Sequence, residues 1–143
     1  MKTSTVPVSA PKWVLIDADG VTIGKVAVKA AMYLRGKHRA SFSPHQLCGD
    51  HVIVINVAKL RLPPKKGLRM MYHRHTGYPG NMRHTSLERM MDKKPTYVIE
   101  HAVKGMLPSN RLAAEMLRRL HVFVDAEHPY APQKPLTLSL IKR

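Results

Sequence analysis

The apolar positions of the chain change period several times, and each change marks an element. Residues 13–18, WVLIDA, are a short continuous apolar run ending in the polar turn DADG, which predicts a buried strand. From Thr22 the spacing becomes three and four: Ile23, Val26, Ala27, Ala30, Ala31 and Leu34 form one stripe, with Lys25, Lys29 and Arg35 elsewhere on the wheel. That is an amphipathic helix closed by Gly36, and strand, turn and helix together predict the opening half of a βαβ unit. Residues 51–57, HVIVINV, are β-branched and apolar on both faces, so they predict a central strand covered by helices on both sides. The turn PPKKG cannot lie in a sheet interior, and after it residues 70–75 predict a more exposed strand.

The second half of the chain is helical in character. Thr85 or Ser86 can cap a short helix through Met91, and Pro95 suits the first turn of another, whose stripe is Val98, Ile99, Ala102, Val103 and Met106. GMLP ends it. Ser109 or Asn110 caps a third helix, with Leu112, Ala113, Met116, Leu117 and Leu120 inward and Arg111, Arg118 and Arg119 outward. Residues 121–124, HVFV, predict a last strand. The expected organisation is one domain over residues 13–127, a flexible tail at 1–12 and an extended tail at 128–143.

Charge changes the picture. Lys and Arg number 24 against nine acids, a formal charge of +15, and an isoelectric point near 10.4 makes nucleic acid the default partner. Between Gly20 and Leu87 the single acid is Asp50, among twelve Lys or Arg and six His. Such an asymmetry predicts one strongly positive face. No apolar run approaches the roughly 18 residues that span a bilayer, and the basic segments are turn-rich rather than amphipathic helices, so no membrane partner is expected. One cysteine, Cys48, excludes an internal disulfide and fits a reducing compartment. The first twelve residues lack the apolar core of a secretory signal and the arginines of a transit peptide.

Two basic clusters carry the candidate chemistry. Residues 72–85, YHRHTGYPGNMRHT, combine Arg74 and Arg83 with His73, His75 and His84, without a carboxylate. Gly77, Pro79 and Gly80 predict an ordered turn over residues 76–81, and Tyr72 and Tyr78 offer faces that can stack on a base. Residues 35–45 place Arg35, Lys37, His38, Arg39 and His45 on a loop begun by Gly36 and broken by Pro44. Together these predict an RNA-facing surface. Other chemistries fail on count. Gly20 and Gly24 are separated by three residues, not four, and Val26 follows Lys25, so the segment lacks the spacing and the magnesium-binding hydroxyl of a nucleotide loop. Gly24 instead suits close packing of helix on strand. His45, Cys48 and His51, weighed with His73 and His75, do not make the paired, short-spaced set of four that a structural zinc needs, and acids to orient a catalytic histidine are scarce, so no metal, cofactor, small-molecule substrate or enzymatic activity is expected.

Taken in order, WVLIDADGVTIGKVA, LRGKHRASFSPH, GDHVIVINVAKL, YHRHTGYPGN, VIEHAVKGMLPSNRLAAEML and AEHPYAPQKP closely resemble the bacterial-type L-thirteen family of large-subunit ribosomal proteins, from about Trp13 to Pro135. The resemblance implies a three-layer α/β/α domain with a mostly parallel four-stranded sheet. It also implies a non-enzymatic role in binding large-subunit rRNA, supporting early subunit assembly and touching neighbouring ribosomal proteins, in the cytoplasm or in a mitochondrial or plastid ribosome. The matching RNA-contact positions are Arg35, Lys37, His38 and Arg39, then His73, Arg74, His75, Gly77 and Tyr78, and Lys104. Lys65, Lys66, Arg69, Arg83 and Arg111 complete the expected set of RNA-facing groups. PPKKG replaces a TGNK-like segment, and Ser109 stands where a Lys commonly follows MLP. The competing reading is an RNA-binding translational regulator working off the ribosome.

Overall fold

In the computed structural model, which describes residues 6–64 and 69–140, the first apolar run is strand β1, Trp13–Asp17, and the first stripe is helix α1, Ile23–Arg35. Gly36 ends α1 at φ 84°, its N–H donating to the carbonyls of Met32 and Tyr33. That left-handed cap is the conformation glycine adopts without a Cβ penalty. Strand β2, His51–Ile55, pairs in parallel with β1, Trp13 opposite His51. The Asp17 carboxylate ties the far ends of both strands, accepting from the Asp19 amide and from Asn56 Nδ2 at 2.9 Å.

Strands β3, Met71–His75, and β4, Met82–Ser86, form an antiparallel hairpin of their own. Helix α2, Leu87–Lys93, follows with Ser86 Oγ accepting from the Arg89 amide, then α3, Pro95–Met106. Helix α4, Arg111–Arg118, is capped by Asn110 Oδ1 on the Ala113 amide. Strand β5, Leu120–Val122, pairs with β2, and β6, Leu136–Leu138, pairs with β1, both in parallel. The sheet order is β5-β2-β1-β6. The result is one α/β domain around a four-stranded sheet that is parallel throughout.

The steps β1 to β2 and β2 to β5 cross the sheet the same way. Right-handed crossovers therefore put their helices on one face. There Val14, Ile16, Val52 and Val54 pack with Val26, Ala27, Ala30 and Leu34 of α1, Ile99 and Val103 of α3 and Met116 of α4. The step from β5 to β6 runs back the other way, so the connection 123–135 covers the opposite face. Tyr130 stacks on Trp13 at 4.9 Å, Trp13 on His51 at 4.3 Å, and Tyr130 lies 4.5 Å from His121. The second cover of β2 is thus this ring stack and a single 3-10 turn, Ala131–Gln133, thinner than the layer expected from its apolar pattern.

Several local expectations change. The segment expected as an extended tail over residues 128–143 supplies β6. Ser9, Ala10 and Lys12 are held against the domain by Arg39 and Asp50, whereas residues 71–75 form the exposed strand expected of them. Met106, placed in the α3 stripe, is 43% exposed at the last position of the helix. Gly24 is exposed, and a Cβ there would meet nothing within 4 Å, so it does no packing. The close approach is at Gly49, where a Cβ would lie 1.7 Å from the Leu34 carbonyl oxygen. Arg119, expected to face out, donates to the Gly49 carbonyl instead.

Two outcomes follow. Gly49→Ala should destabilise the domain by about 3 kcal/mol or more, since a main-chain carbonyl cannot step aside, whereas Gly24→Ala should stabilise it by about 0.5–1 kcal/mol. Denaturant unfolding of the two variants checks both signs.

The second outcome concerns pH. Burial, then Arg119 and His121, hold the His51 imidazole below its ordinary 6.5, and burial does the same for His121. The unfolded chain therefore binds these protons more readily than the folded one. Their contribution to stability is complete above the unfolded value of 6.5 and is lost as pH falls below it. Melting temperature should drop from pH 7 towards 5.5, and His121→Phe, which keeps a ring in the stack, should flatten that drop. Parallel curves for the two proteins would exclude His121 as a contributor.

Candidate nucleic-acid interface

The hairpin is the most exposed regular element, and its register sorts its side chains. Alternation puts Tyr72 and Arg74 on one face with Thr85 and Arg83, the two arginines directly opposite each other. The other face carries Met71, His73 and His75 against Ser86, His84 and Met82. His73 and His84 meet edge to face, Nδ1 to Nδ1. Arg74, His73, His75 and Arg83 are all exposed. The turn over residues 76–81 is ordered as expected. Thr76 donates from its amide and its hydroxyl to the Asn81 carbonyl, the Asn81 amide donates to the Tyr78 carbonyl, and the Gly77 amide donates to His75 Nδ1. Gly77 at φ 98° and Gly80 at φ 73° supply the left-handed backbone, which leaves Tyr78 74% exposed at the tip.

Tyr72 behaves differently from the stacking platform its sequence neighbourhood suggested. It is the hairpin's root, 8% exposed, packed with Leu87 and Val98 and edge-on to Tyr97 and His101 of α3. Burial, and secondarily the Tyr97 phenol, push its hydroxyl above the ordinary value of 10.0. Lys104 lies one turn beyond His101 on α3, so the hairpin root and Lys104 share a helix face. Lys104 also borders the surface hollow formed with Asn110 and Arg111 at the start of α4. Arg69 is exposed beside Met70, whose carbonyl accepts from the Leu87 amide at the same root.

The second cluster enters from the other end of the sheet, since the loop 36–50 leads into the start of β2 whereas the hairpin follows its end. Lys37 is exposed. Arg35 lies over the Phe42 ring, 5.6 Å from its centroid, a cation–π contact. Arg39 and His38 turn towards Asp50. His38 Nε2 lies 2.7 Å from Asp50 Oδ2 and Arg39 Nη2 contacts Oδ1, leaving the side chains 22% and 11% exposed. The structure thus gathers Arg69, His73, Arg74, His75, Gly77, Tyr78, Arg83 and Lys104 around one arm. It sets Arg35, Lys37, His38 and Arg39 apart on another, and Lys65 and Lys66 fall outside the described residues. Sequence reasoning missed the arginine pairing across the hairpin, because MRHTS has no apolar alternation to mark β4. It also missed the inward turn of Arg39, for which the solitary Asp50 was the available signal.

Of the residues weighed for zinc, Cys48 is buried with Sγ 3.9 Å from the Ser41 and Ser43 carbonyls, His51 belongs to the stack under Trp13, and His73 and His75 lie on the hairpin. Among the described residues no three His, Cys, Asp or Glu groups gather to hold a metal, and no helix is long and apolar enough to cross a membrane.

Comparison with known proteins adds a family. The sequence model described as Ribosomal protein L13 matches residues 11–129. Among curated relatives, the large ribosomal subunit protein uL13 of Clostridioides difficile is 49% identical over 128 residues, 90% of each chain. Its counterpart from Symbiobacterium thermophilum is 47% identical over 129 residues, again 90% of each. That of Thermus thermophilus is 44% identical over 140 residues, covering 98% of this chain and all of the relative.

The opposed arginines make the hairpin electrostatically uncomfortable on its own, since like charges directly across a ladder repel. Arg83→Glu should therefore stabilise the isolated protein by a few tenths to about 1 kcal/mol. Hydrogen exchange of the Met71–His75 amides measures it, and faster exchange in the variant would contradict it.

Proposed function

The chain belongs to the ribosomal protein L13 family, and from that premise we propose that it is a structural constituent of the large ribosomal subunit that binds large-subunit rRNA and supports early subunit assembly. The observation that carries the RNA reading is the hairpin. It spends stability to hold Arg74 against Arg83 beside an ordered, carboxylate-free turn, an arrangement that becomes favourable when phosphate lies between or beside the guanidiniums. Tyr78 offers a ring to an unstacked base or a sugar, and Gly77 lets the backbone come close. Arg69, His73, His75 and Lys104 widen the same surface, with Arg111 at the start of α4. Arg35, Lys37 and His38 form a second contact, and Lys65 and Lys66 belong to the proposed set. Neighbouring large-subunit proteins are its other partners, the cytoplasm is its compartment, and no catalysis is involved.

Phosphate neutralisation supplies most of the affinity in this reading, and shape supplies the choice of site. Arg74→Ala should weaken binding to purified large-subunit rRNA and reduce the slope of log affinity against log salt by about 0.7–0.9. An unchanged slope would count against direct phosphate contact. Sedimentation with large subunits at high salt separates an integral component, which stays bound, from an off-ribosome regulator, which washes away.

A further inference from the structure

We infer that Asp50 is a positioning residue for RNA binding: its buried carboxylate fixes the loop that presents Lys37, without showing negative charge to the RNA. The inference rests on the RNA-binding reading above and deepens it. Asp50 is the only acid between Gly20 and Leu87, and it is 2% exposed. A carboxylate removed from water needs donors on its oxygens, and it finds three. The Lys12 amide donates to Oδ1 at 2.7 Å, His38 Nε2 lies at 2.7 Å from Oδ2, and Arg39 Nη2 contacts Oδ1.

Arg39 is the hub of this arrangement. Its Nη1 donates to the Ser9 carbonyl and hydroxyl, and its Nη2 to the Ala10 carbonyl as well as to Asp50. All four hydrogens on its two terminal nitrogens are thereby engaged within the protein, which leaves no fork for a phosphate. Lys37 stands between fixed points. Its amide donates to the Met32 carbonyl past the left-handed Gly36, and the Arg39 amide donates to the Gly36 carbonyl at 3.0 Å. The Asp50 amide itself donates to the Tyr33 carbonyl at 3.0 Å, tying the carboxylate's own backbone to the end of α1. The ordering that Lys37 would otherwise undergo on binding is done in advance by Asp50, by Arg39 and by the backbone bonds around Gly36.

Simple electrostatics gives the opposite expectation, since an acid in a phosphate-binding chain repels its ligand and removing it raises the formal charge by one. The experiment compares wild type, Asp50→Asn and Arg39→Gln in binding to purified large-subunit rRNA over a salt series, with melting curves of each protein. Positioning predicts that Asp50→Asn weakens binding roughly tenfold, the cost of re-ordering about one residue's backbone, with an unchanged salt slope. Arg39→Gln should likewise weaken binding with its slope intact. Tighter or equal binding by Asp50→Asn would overturn the inference, as would a slope shallower by about 0.7–0.9 in Arg39→Gln, the mark of a direct phosphate contact. Should Asp50→Asn fail to melt cooperatively, the Arg39→Gln slope decides. Failure of the wild type to bind would remove the RNA reading itself, a distinct result seen in the control.

Discussion

Everything at the start of the sheet converges on the buried carboxylate of Asp50. It joins the segment entering β1, through the Lys12 amide, to the loop entering β2, through His38 and Arg39. Those two strands are the centre of the sheet, so the tie sets where the first parallel pair begins, Trp13 opposite His51. A buried ion pair stabilises little by comparison with apolar packing of the same volume, because desolvation offsets most of the attraction. Its value here is geometric. In a chain with a formal charge of +15, one interior anion lets a strongly basic loop fold back on itself and share a single shape.

The hairpin solves a different problem. It stands outside the main sheet and is fastened by Tyr72, packed with Leu87 and Val98, while its outer half carries arginines, imidazoles and Tyr78 into solvent. Apolar burial at one end supports electrostatic strain at the other. Gly77 and Gly80 complete the division, since their left-handed conformations turn the strands tightly and leave Tyr78 at the tip.

How much of this was legible in the sequence follows from the range of the forces involved. β1, α1 and β2 announce themselves through the runs and stripe of residues 13–55, and Ser86 and Asn110 mark their helix starts, because periodicity and capping act over a few residues. β4 and β6 did not. MRHTS is exposed along most of its length and LTL is only three residues long, so neither has a pattern to read; each is a strand because a partner lies beside it. The same holds for side-chain direction. Arg119 turns inward to the carbonyl of Gly49, seventy positions away, and Arg39 turns inward to Asp50, while the close approach expected at Gly24 falls at Gly49, against Leu34. The basic clusters were found by composition alone, but which of their members point outward depends on contacts that composition does not contain.

Among the described residues, the strand latest in sequence completes the first. β6 covers the edge of β1 with only three paired residues, so until residues 136–138 have left the site of synthesis, β1 keeps an unpaired row of backbone donors and acceptors on that side. A nascent chain stalled before this point displays an open sheet edge, the kind of surface on which strands of other chains add. Three residues far along the chain therefore decide whether the first strand is an inner strand or an open template.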